Sequence, residues 1–289
     1  MFQRVAIVGL GLIGGSLGLA LRKAGIAQYV AGYDLGRGVS EQARRAGVID
    51  EAYDALADAV RGAEVVVLAT PVGAMHALLT QIAPALMPGC VVTDVASTKA
   101  QVMQWASELL PASVSFVGGH PMTGKELSGV AAADAALFRG HVYCLCATEQ
   151  TRPSAVKKVS TLIEIVGARI RFMDPVQHDI QVAGVSHLPF IASVALVNTV
   201  ANTDSWHEAA ALAASGFRDM SRLAAGSPEM YRDICLTNSE AITQWIDTYI
   251  ATLEQMREQI AQQSQLLDAT FVEAQQTRQE WHQSQQVVE

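Results

Sequence analysis

The sequence predicts an α/β protein with two domains, an N-terminal parallel sheet flanked by helices and an all-helical C-terminal domain. The chain has 289 residues, more than one hydrophobic core usually holds. Short β-rich runs alternate with helical segments in its first part, as in parallel sheets that are covered on both faces. These runs stop after Asp174-Pro175, so we place the domains at residues 1–174 and 175–289.

The predicted strands are near-continuous apolar runs, and most helices between them end at Gly or Pro. The strands are Val5–Gly9, Tyr29–Asp34, Glu64–Ala69, Cys90–Val95, Ser115–Gly118, Val142–Ala147 and Arg169–Met173. Helical spacing marks Gly15–Ala24, Gly73–Leu86 and Lys99–Leu110, and later 176–203, 206–214, 219–225, 228–236 and 238 to about 275. The Gln- and Glu-rich end is expected to be a helix that frays.

Composition and charge exclude several functional classes. Hydrophobic residues make up 50% of the chain and charged residues 17%, which excludes a disordered protein. The formal net charge is −8 and no basic cluster is present, so we expect no nucleic-acid partner. A few local cations would still allow the protein to bind an anionic small substrate.

We expect a cytoplasmic protein without a membrane span. The first apolar run is too short for a signal peptide. The uncharged run from Val182 to Asn202 is long enough to span a membrane, but it contains His187 and Pro189 and no basic flank follows it. We therefore expect a buried helix or a subunit interface. The four cysteines lack zinc-ligand spacing, so we expect no metal site, and Cys144 and Cys146 are typical of a strand core.

A glycine loop, Gly9-Leu-Gly11-Leu12-Ile13-Gly14, follows the first strand and opens a helix. In the Rossmann fold, the first glycine of this pattern makes a tight turn and the second lets the backbone approach a pyrophosphate. The third allows close packing of helix and strand. The pyrophosphate would lie on the helix N-terminus. We therefore predict a dinucleotide-binding loop, with a glycine-rich turn that binds no ligand as the alternative.

Asp34 ends the second strand, where a carboxylate binds the adenosine ribose and repels a 2′-phosphate. This favours NAD over NADP, although Arg37 leaves NADP open because a nearby arginine can receive the phosphate. The strand Glu64–Ala69 leads into Thr70-Pro71, at the sheet edge where open α/β proteins bind ligands. We expect Thr70 and Pro71 to lie beside the cofactor.

Two segments of the predicted sheet domain are candidates for the chemistry. Ser97 precedes a predicted helix, and the capping box that Thr98 to Gln101 fits does not include it. Ser97 therefore has two possible roles: it donates a hydrogen bond to substrate or nicotinamide, or its role is structural. His120 stands in Gly-Gly-His-Pro after a strand, and its reference pKa near 6.5 suits it to take a proton from an alcohol. Activity should then fall below roughly pH 6.5. A loop histidine with structural partners is the alternative.

The helical part contributes His187 and the run from Gly216 to Arg222. Asp219 and Arg222 share a helix face, so Asp219 could hold Arg222 while the guanidinium binds a carboxylate. An ordinary surface ion pair is the alternative. His187 is more typical of a buried structural histidine, because it lies in an apolar helix beside a proline.

These segments together resemble the prephenate and arogenate dehydrogenase family of tyrosine biosynthesis over nearly the whole chain. The resemblance rests, in chain order, on residues 9–16, 94–99, 118–126, 184–189, 216–222 and 227–233. It implies a Rossmann domain followed by a helical domain that forms an intertwined homodimer. It also implies NAD-dependent oxidation of prephenate to 4-hydroxyphenylpyruvate and CO₂, or the same chemistry on arogenate to give tyrosine.

The resemblance also implies site residues. His120 would take the substrate hydroxyl proton, Ser97 would support the same hydroxyl, and Arg222 would bind a substrate carboxylate. No appended regulatory domain is expected, so any feedback by tyrosine would act at the active site.

Further pocket residues follow from the same resemblance. Glu126 and His187 would belong to the pocket, Lys125 would add a cation, and the loop that ends at Ser215 would reach in from the partner subunit. Prephenate-preferring members often carry a second histidine where this chain has Phe190, so arogenate or both substrates stay open while we favour prephenate.

Two other readings of the residues remain. A β-hydroxyacid or 6-phosphogluconate-type dehydrogenase would use a catalytic lysine such as Lys99, but the segments around His120 and Arg222 would then be unexplained. A non-catalytic NAD-binding sensor would have no need of Ser97, His120 and Arg222 together.

Overall fold

The computed structural model describes residues 1–125 and 127–286, and eight strands of this part of the chain form one sheet. The strands are β1 (Phe2–Val8), β2 (Ala27–Tyr33), β3 (Glu51–Tyr53), β4 (Val65–Leu68), β5 (Val91–Asp94), β6 (Ser115–Pro121), β7 (Val142–Cys146) and β8 (Arg169–Met173). Their order across the sheet is β3-β2-β1-β4-β5-β6-β7-β8. All neighbouring strands are parallel except β6 and β7.

All seven predicted strands are present, and the sheet differs from the prediction in three places. β3 was not predicted because a strand of three residues is too short to show a period. β7 runs antiparallel to β6 because residues 122–141 join the two strands without the crossover helix that a parallel connection needs. β6 continues past Gly118 to Pro121 because His120 pairs with Cys144 of β7, so His120 lies in a strand and not in a loop.

Helices cover both faces of the sheet. They are α1 (Leu12–Ala24), α2 (Val39–Arg45), α3 (Leu56–Val60), α4 (Met75–Ile82), α5 (Ala100–Leu109) and α6 (Pro153–Ile165). β4 shows why its sequence is apolar throughout: Val65 and Val67 pack in the core that includes residues of α1 and α6. Val66 and Leu68 pack in the core on the opposite face, with residues of α4 and α5.

The chain after β8 is helical, as predicted. The helices are α7 (Pro175–Val182), α8 (Leu188–Ala201), α9 (Trp206–Leu212), α10 (Ser215–Ser221), α11 (Pro228–Thr237), α12 (Ser239–Ala261) and α13 (Leu266–Gln286). A π-helical turn, Ala183–His187, joins α7 to α8. The helix predicted over 219–225 instead begins at Ser215 and tightens into a 3₁₀ turn after Ser221.

The single helix predicted from residue 238 to about 275 is wrong, because the chain breaks between α12 and α13. Gln263 there has φ of 52°, a left-handed conformation that ends a helix. α13 then stays helical as far as Gln286, the last residue that the structure describes, where fraying was expected.

By compactness, the chain divides into one unit that ends at Ser239 and a second that begins at Glu240. Helices α7 to α11 therefore belong to the same compact unit as the sheet. Asp174 caps α7 by accepting hydrogen bonds from the backbone N–H groups of Val176 and Gln177 at 2.9 and 3.0 Å. The first unit thus contains both the sheet edge and the helices that approach it.

The helix from Pro175 to Ala201 is long and apolar enough to cross a membrane by length and composition alone. Core helices of globular proteins meet the same criterion. Two of its polar side chains, His178 and Asp179, are buried, and Asp179 bonds to the start of α5. These contacts hold the helix against the sheet.

Cys144 and Cys146 lie buried in β7, as the sequence predicts. Burial raises the pKa of the Cys146 thiol to about 12 and raises that of Cys144. Both behave as small core residues and not as nucleophiles.

Candidate active site

The glycine loop after β1 is tightly packed at two positions and open at one. Gly9 has φ of 91°, and a Cβ added to it would lie 2.4 Å from the carbonyl oxygen of Ala69. A Cβ on Gly14 would lie 1.9 Å from the carbonyl oxygen of Gly9, whereas a Cβ on Gly11 would meet nothing within 4 Å. The loop therefore has close packing where the helix meets the strand and free space where a pyrophosphate would approach.

The N-terminus of α1 is available to an anion. Gly11 is the N-cap, and within the described residues no side chain caps the helix. Leu12 and Ile13 form the first turn while their side chains pack against the core. The backbone N–H groups of this turn and the helix dipole suit a phosphate.

Asp34 joins the end of β2 to the glycine loop. Its Oδ2 accepts a 2.7 Å hydrogen bond from the N–H of Leu10, and its Oδ1 accepts one of 2.7 Å from Gly36. Asp34, Gly9 and Gly11 line one side of an open cavity of about 570 Å³. A carboxylate in this place fits the hydroxyls of an adenosine ribose.

Thr70 and Pro71, predicted to lie beside a cofactor, line the same cavity. The Thr70 hydroxyl is buried and makes no hydrogen bond to any residue that the structure describes. A buried polar atom without a partner is costly unless a ligand or water satisfies it. Together with Gly11 and Asp34, this orphaned oxygen indicates that the cavity fits a bound dinucleotide.

Helix α11 forms a wall of the cavity that sequence reasoning missed. Glu229, Arg232 and Asp233 line it. Asp233 lies directly over Gly73, because a Cβ on Gly73 would be 2.2 Å from its carboxylate. Arg232 donates to Asp233 at 2.6 Å. These residues belong to the segment 227–233 that carries part of the resemblance, but their place at the cavity was not predicted because the contact joins distant parts of the chain.

The end of β5 carries a buried ion pair between Asp94 and Lys99. Both side chains are fully buried. Asp94 also accepts hydrogen bonds from the backbone N–H groups of Gly119 at 2.9 Å and Ala96 at 3.0 Å. The pair ties β5 to β6 and engages Lys99, so a catalytic lysine is not favoured at this position.

The predicted capping box at Thr98 is wrong. The Thr98 hydroxyl lies 2.9 Å from that of Thr237 on α11, and Asp179 on α7 caps α5 instead. The half-buried Ser97 lies in the loop between β5 and α5. Its side chain makes no hydrogen bond within the described chain, which leaves its hydroxyl available at the sheet edge.

His120 lies near the end of β6 and is 8% exposed. Because β1, β4, β5 and β6 are parallel, His120 lies at the same sheet edge as Gly9, Thr70 and Ser97. Burial is the main cause that holds the pKa of His120 well below its usual 6.5, and a positive charge on His178 or Lys99 would lower it further. The imidazole is therefore neutral at physiological pH and able to accept a proton.

The closest polar partner of His120 is a second histidine that sequence reasoning missed. Nδ1 of His120 lies 2.9 Å from Nε2 of His178, and Nδ1 of His178 lies 2.8 Å from Oδ1 of Asp179. His178 and Asp179 are buried. The available signal was an adjacent His-Asp pair inside an otherwise uncharged helix, just after Asp174-Pro175.

His187 lies on the π-helical turn and is buried, as predicted for it. Its Nδ1 lies 3.4 Å from Nδ2 of Asn238, and its Nε2 has no partner among the described residues. Burial lowers the pKa of His187 to about 4, and its charge would lower that of His120. The two histidines are thus electrostatic neighbours.

Phe190 and Tyr231 stack with their ring centroids 3.3 Å apart and their planes at 5°. Arg222 is exposed, and its charge opposes the effect of burial, which raises the pKa of Tyr231. Asp219 contacts Arg218 at 3.4 Å on the surface.

The remaining predicted residues do not all gather at His120. Lys125 forms a 2.8 Å ion pair with Asp134, and both are partly exposed. The Asp134 N–H donates to Ser16 of α1 at 2.9 Å, which places the pair beside that helix. Glu126 lies outside the described residues, and Ser215 is exposed at the start of α10. Within the described ranges, no cluster of side chains could hold a metal ion.

Comparisons with known proteins agree with this geometry. Residues 17–172 match the family model "Prephenate dehydrogenase, nucleotide-binding domain", and residues 174–274 match "Prephenate dehydrogenase, dimerization domain". Prephenate dehydrogenase of Bacillus subtilis is 35% identical over 91% of this chain and 71% of its own length. Cyclohexadienyl dehydrogenase of Zymomonas mobilis is 34% identical over 91% of this chain and 90% of its own.

A solved structure is similar over the whole fold. Prephenate dehydrogenase from Aquifex aeolicus, in complex with hydroxyphenyl propionate and NAD⁺, has a TM-score of 0.91 and 30% identity. The similarity covers 97% of this chain and 98% of that one. With a dinucleotide-type loop, a buried neutral histidine at the same sheet edge and matches along nearly all of its length, this chain belongs to the prephenate dehydrogenase family.

Proposed function

We propose that this chain catalyses the NAD-dependent oxidative decarboxylation of prephenate to 4-hydroxyphenylpyruvate in tyrosine biosynthesis. The observation that carries the proposal is the buried, neutral His120 at the sheet edge that also carries the dinucleotide loop. The similar Aquifex aeolicus enzyme, bound to NAD⁺ and a hydroxyphenyl acid, supports it.

The cofactor residues of the proposal are those of the loop and the cavity. Gly9, Gly11, Leu12, Ile13 and Gly14 would hold the pyrophosphate on the start of α1. Asp34 would bind the adenosine ribose, which favours NAD over NADP, and Thr70 and Pro71 would line the same cavity. NAD held by these residues would supply the acceptor for the hydride that leaves C4 of the substrate.

Residues of the chain itself carry out the proton transfer that accompanies oxidation and decarboxylation. His120 is the base that takes the C4 hydroxyl proton, with Ser97 bonded to the same oxygen. The ring carboxylate leaves as CO₂ and the electrons of its bond enter the ring. As the ring becomes aromatic, the C4 oxygen takes its proton back from His120, so the reaction releases no net proton.

Substrate binding is assigned to the helical side of the site. Arg222 would bind a substrate carboxylate through its planar guanidinium. His187, buried near His120 with an Nε2 that has no hydrogen-bond partner among the described residues, would complete the pocket wall. Lys125 would contribute its charge at the rim, where it now pairs with Asp134. Glu126 and the Ser215 loop of a partner subunit complete the proposed set.

Arogenate, alone or beside prephenate, is the alternative substrate. Phe190 lies where prephenate-preferring members often carry a histidine, and it is stacked on Tyr231. This side chain offers an apolar face and no cation to a pyruvyl carboxylate. The similarity to a cyclohexadienyl dehydrogenase supports the alternative.

We further propose a cytoplasmic homodimer in which residues 1–174 bind the dinucleotide and 175–289 bind substrate and form the subunit interface. The match of residues 174–274 to a dimerization domain supports this assignment. α12 and α13 expose large apolar side chains that a partner would cover, including Trp245, Ile250, Leu253, Ile260 and Phe271.

The proposal is tested by incubating the purified protein with prephenate and NAD and following NADH and CO₂. Stoichiometric NADH, CO₂ and 4-hydroxyphenylpyruvate are expected, and parallel reactions with arogenate and with NADP measure both preferences. Binding of NAD without NADH from either substrate would contradict the proposal and favour a non-catalytic sensor.

A further inference from the structure

A buried chain of hydrogen bonds runs from the proposed base His120 into the helical part of the first unit. Nδ1 of His120 contacts Nε2 of His178 at 2.9 Å, and the two rings meet edge to face with centroids 5.1 Å apart. Nδ1 of His178 contacts Oδ1 of Asp179 at 2.8 Å. His178 is 0% exposed and Asp179 is 4% exposed, so bulk water does not compete for these bonds.

At the Asp179 end of this series of hydrogen bonds, the donor and acceptor roles are fixed. Oδ1 of Asp179 accepts the backbone N–H of Lys99 at 2.7 Å, and Oδ2 accepts that of Ala100 at 2.8 Å. A backbone N–H can only donate, so both oxygens act as acceptors, as in an ionised carboxylate at a helix N-terminus. Asn238 fixes the same segment by donating its side-chain N–H to the carbonyl of Asp179 at 2.8 Å.

The acceptor role of Asp179 determines which nitrogen carries the proton on each of the two histidine rings. Nδ1 of His178 must carry a proton to donate to Asp179, and in the neutral ring Nε2 is then an acceptor. Nδ1 of His120 must therefore carry a proton to donate to His178. The remaining nitrogen, Nε2 of His120, keeps its lone pair and is the only ring atom left to act as a base.

We propose that Asp179 and His178 are positioning residues that hold His120 in the tautomer with a free Nε2 and stabilise its charge when it takes the substrate proton. The proposal rests on the proposed function, in which His120 is the base. The hydroxyl proton passes to Nε2 of His120, and the proton on Nδ1 shifts towards His178, so that positive charge spreads to the neighbour of Asp179. Both proton shifts reverse when the product oxygen takes its proton back. The relay formed by His120, His178 and Asp179 therefore returns to its starting state after each turnover.

The direct test is ¹⁵N NMR of the histidine rings in the full chain at neutral pH, which needs no substrate. The signals of His120 are identified by their loss in His120→Asn. We expect Nδ1 protonated and Nε2 unprotonated in the wild type, and the reverse in Asp179→Asn, where the amide can present a donor to His178. A wild-type His120 protonated on Nε2 would overturn the proposal, whether or not the variants fold.

Kinetics provide a second, independent readout. Asp179→Asn and His178→Asn should each lower kcat by about 10²- to 10⁴-fold, the range seen when a base loses its orienting partner, with little change in KM. In a His120→Asn background, neither change should lower the residual rate further, because the three groups act as one unit. An equal further loss in that background would show that they act elsewhere.

Asp174→Asn is the matched control. Asp174 is also an aspartate at a helix N-terminus, and its side chain accepts hydrogen bonds from the backbone of Val176 and Gln177. This variant should keep the cap, because an amide oxygen also accepts these N–H groups, and kcat and the His120 tautomer should stay unchanged. If prephenate is not oxidised at all, the proposed function is wrong. The ¹⁵N spectrum of the histidine rings still tests which nitrogen of His120 carries the proton.

Discussion

The carboxylate of Asp34 accepts a 2.7 Å hydrogen bond from the backbone N–H of Leu10, so the residue that would select the cofactor also holds the glycine loop. A substitution of Asp34 would therefore change both the selectivity for the cofactor and the conformation of the glycine loop. Variants that separate charge from hydrogen bonding are needed to distinguish the two effects.

Replacing Asp34 by Ser or Asn should relax the preference for NAD over NADP by about tenfold or more, because the carboxylate no longer binds the ribose or repels a 2′-phosphate. Asp34→Asn keeps an acceptor for the Leu10 N–H but loses the one for Gly36, so Asp34→Ser should lower thermal stability more than Asp34→Asn does. The measurement is the ratio of kcat/KM for the two cofactors. An unchanged ratio in both variants would remove Asp34 from cofactor selection.

The pH profile should have its acid limb below pH 6.5. Burial lowers the pKa of His120 well below 6.5, and only the neutral ring accepts a proton. Above this lowered pKa nearly all of the His120 imidazole is neutral. The value of kcat/KM therefore stays constant down to pH 6.5 and decreases as the pH falls further. This revises the loss near pH 6.5 expected from the sequence. Samples returned to neutral pH control for unfolding, and half-loss at or above pH 6.5 would contradict the account.

Arg222→Ala should raise the KM for prephenate by about tenfold or more while the KM for NAD changes little, since a charge-assisted hydrogen bond to a carboxylate is lost. Arg218→Ala is the control, because Arg218 is an exposed arginine of the same segment that pairs with Asp219. Equal increases for substrate and cofactor would assign Arg222 to the structure.

Lys99→Met should lower the free energy of unfolding by about 3–5 kcal/mol, because it leaves the buried Asp94 carboxylate without its counter-charge. Adding Asp94→Asn should recover part of this loss. Denaturant unfolding measures both variants. If Lys99→Met instead keeps its stability and loses only turnover, Lys99 would be a catalytic lysine as in the rival dehydrogenases.

The sequence predicts the strands and the cofactor loop well because their signals are local. A buried parallel strand such as β4 must be apolar on both faces, and Gly9 to Gly14 carry the whole geometry of the loop within one short segment. The predicted positions of Asp34 and Thr70 at the sheet edge followed from the ends of those strands.

The missed features depend on contacts between distant segments. Thr98 has the sequence of a cap, yet Asp179 takes that place because α7 reaches the start of α5. His178 is adjacent to Asp179 in sequence, but its contact with His120 becomes visible only when α7 is packed against β6. Propensity and spacing hold no information on such docking.

The central claim is that His120 is the base for oxidation of the substrate alcohol, and steady-state kinetics of His120→Asn with prephenate and NAD test it most directly. The account predicts that kcat falls by about 10²-fold or more while the Kd for NAD, measured separately by calorimetry, stays near the wild-type value. A His120→Asn enzyme with near-normal kcat would contradict it.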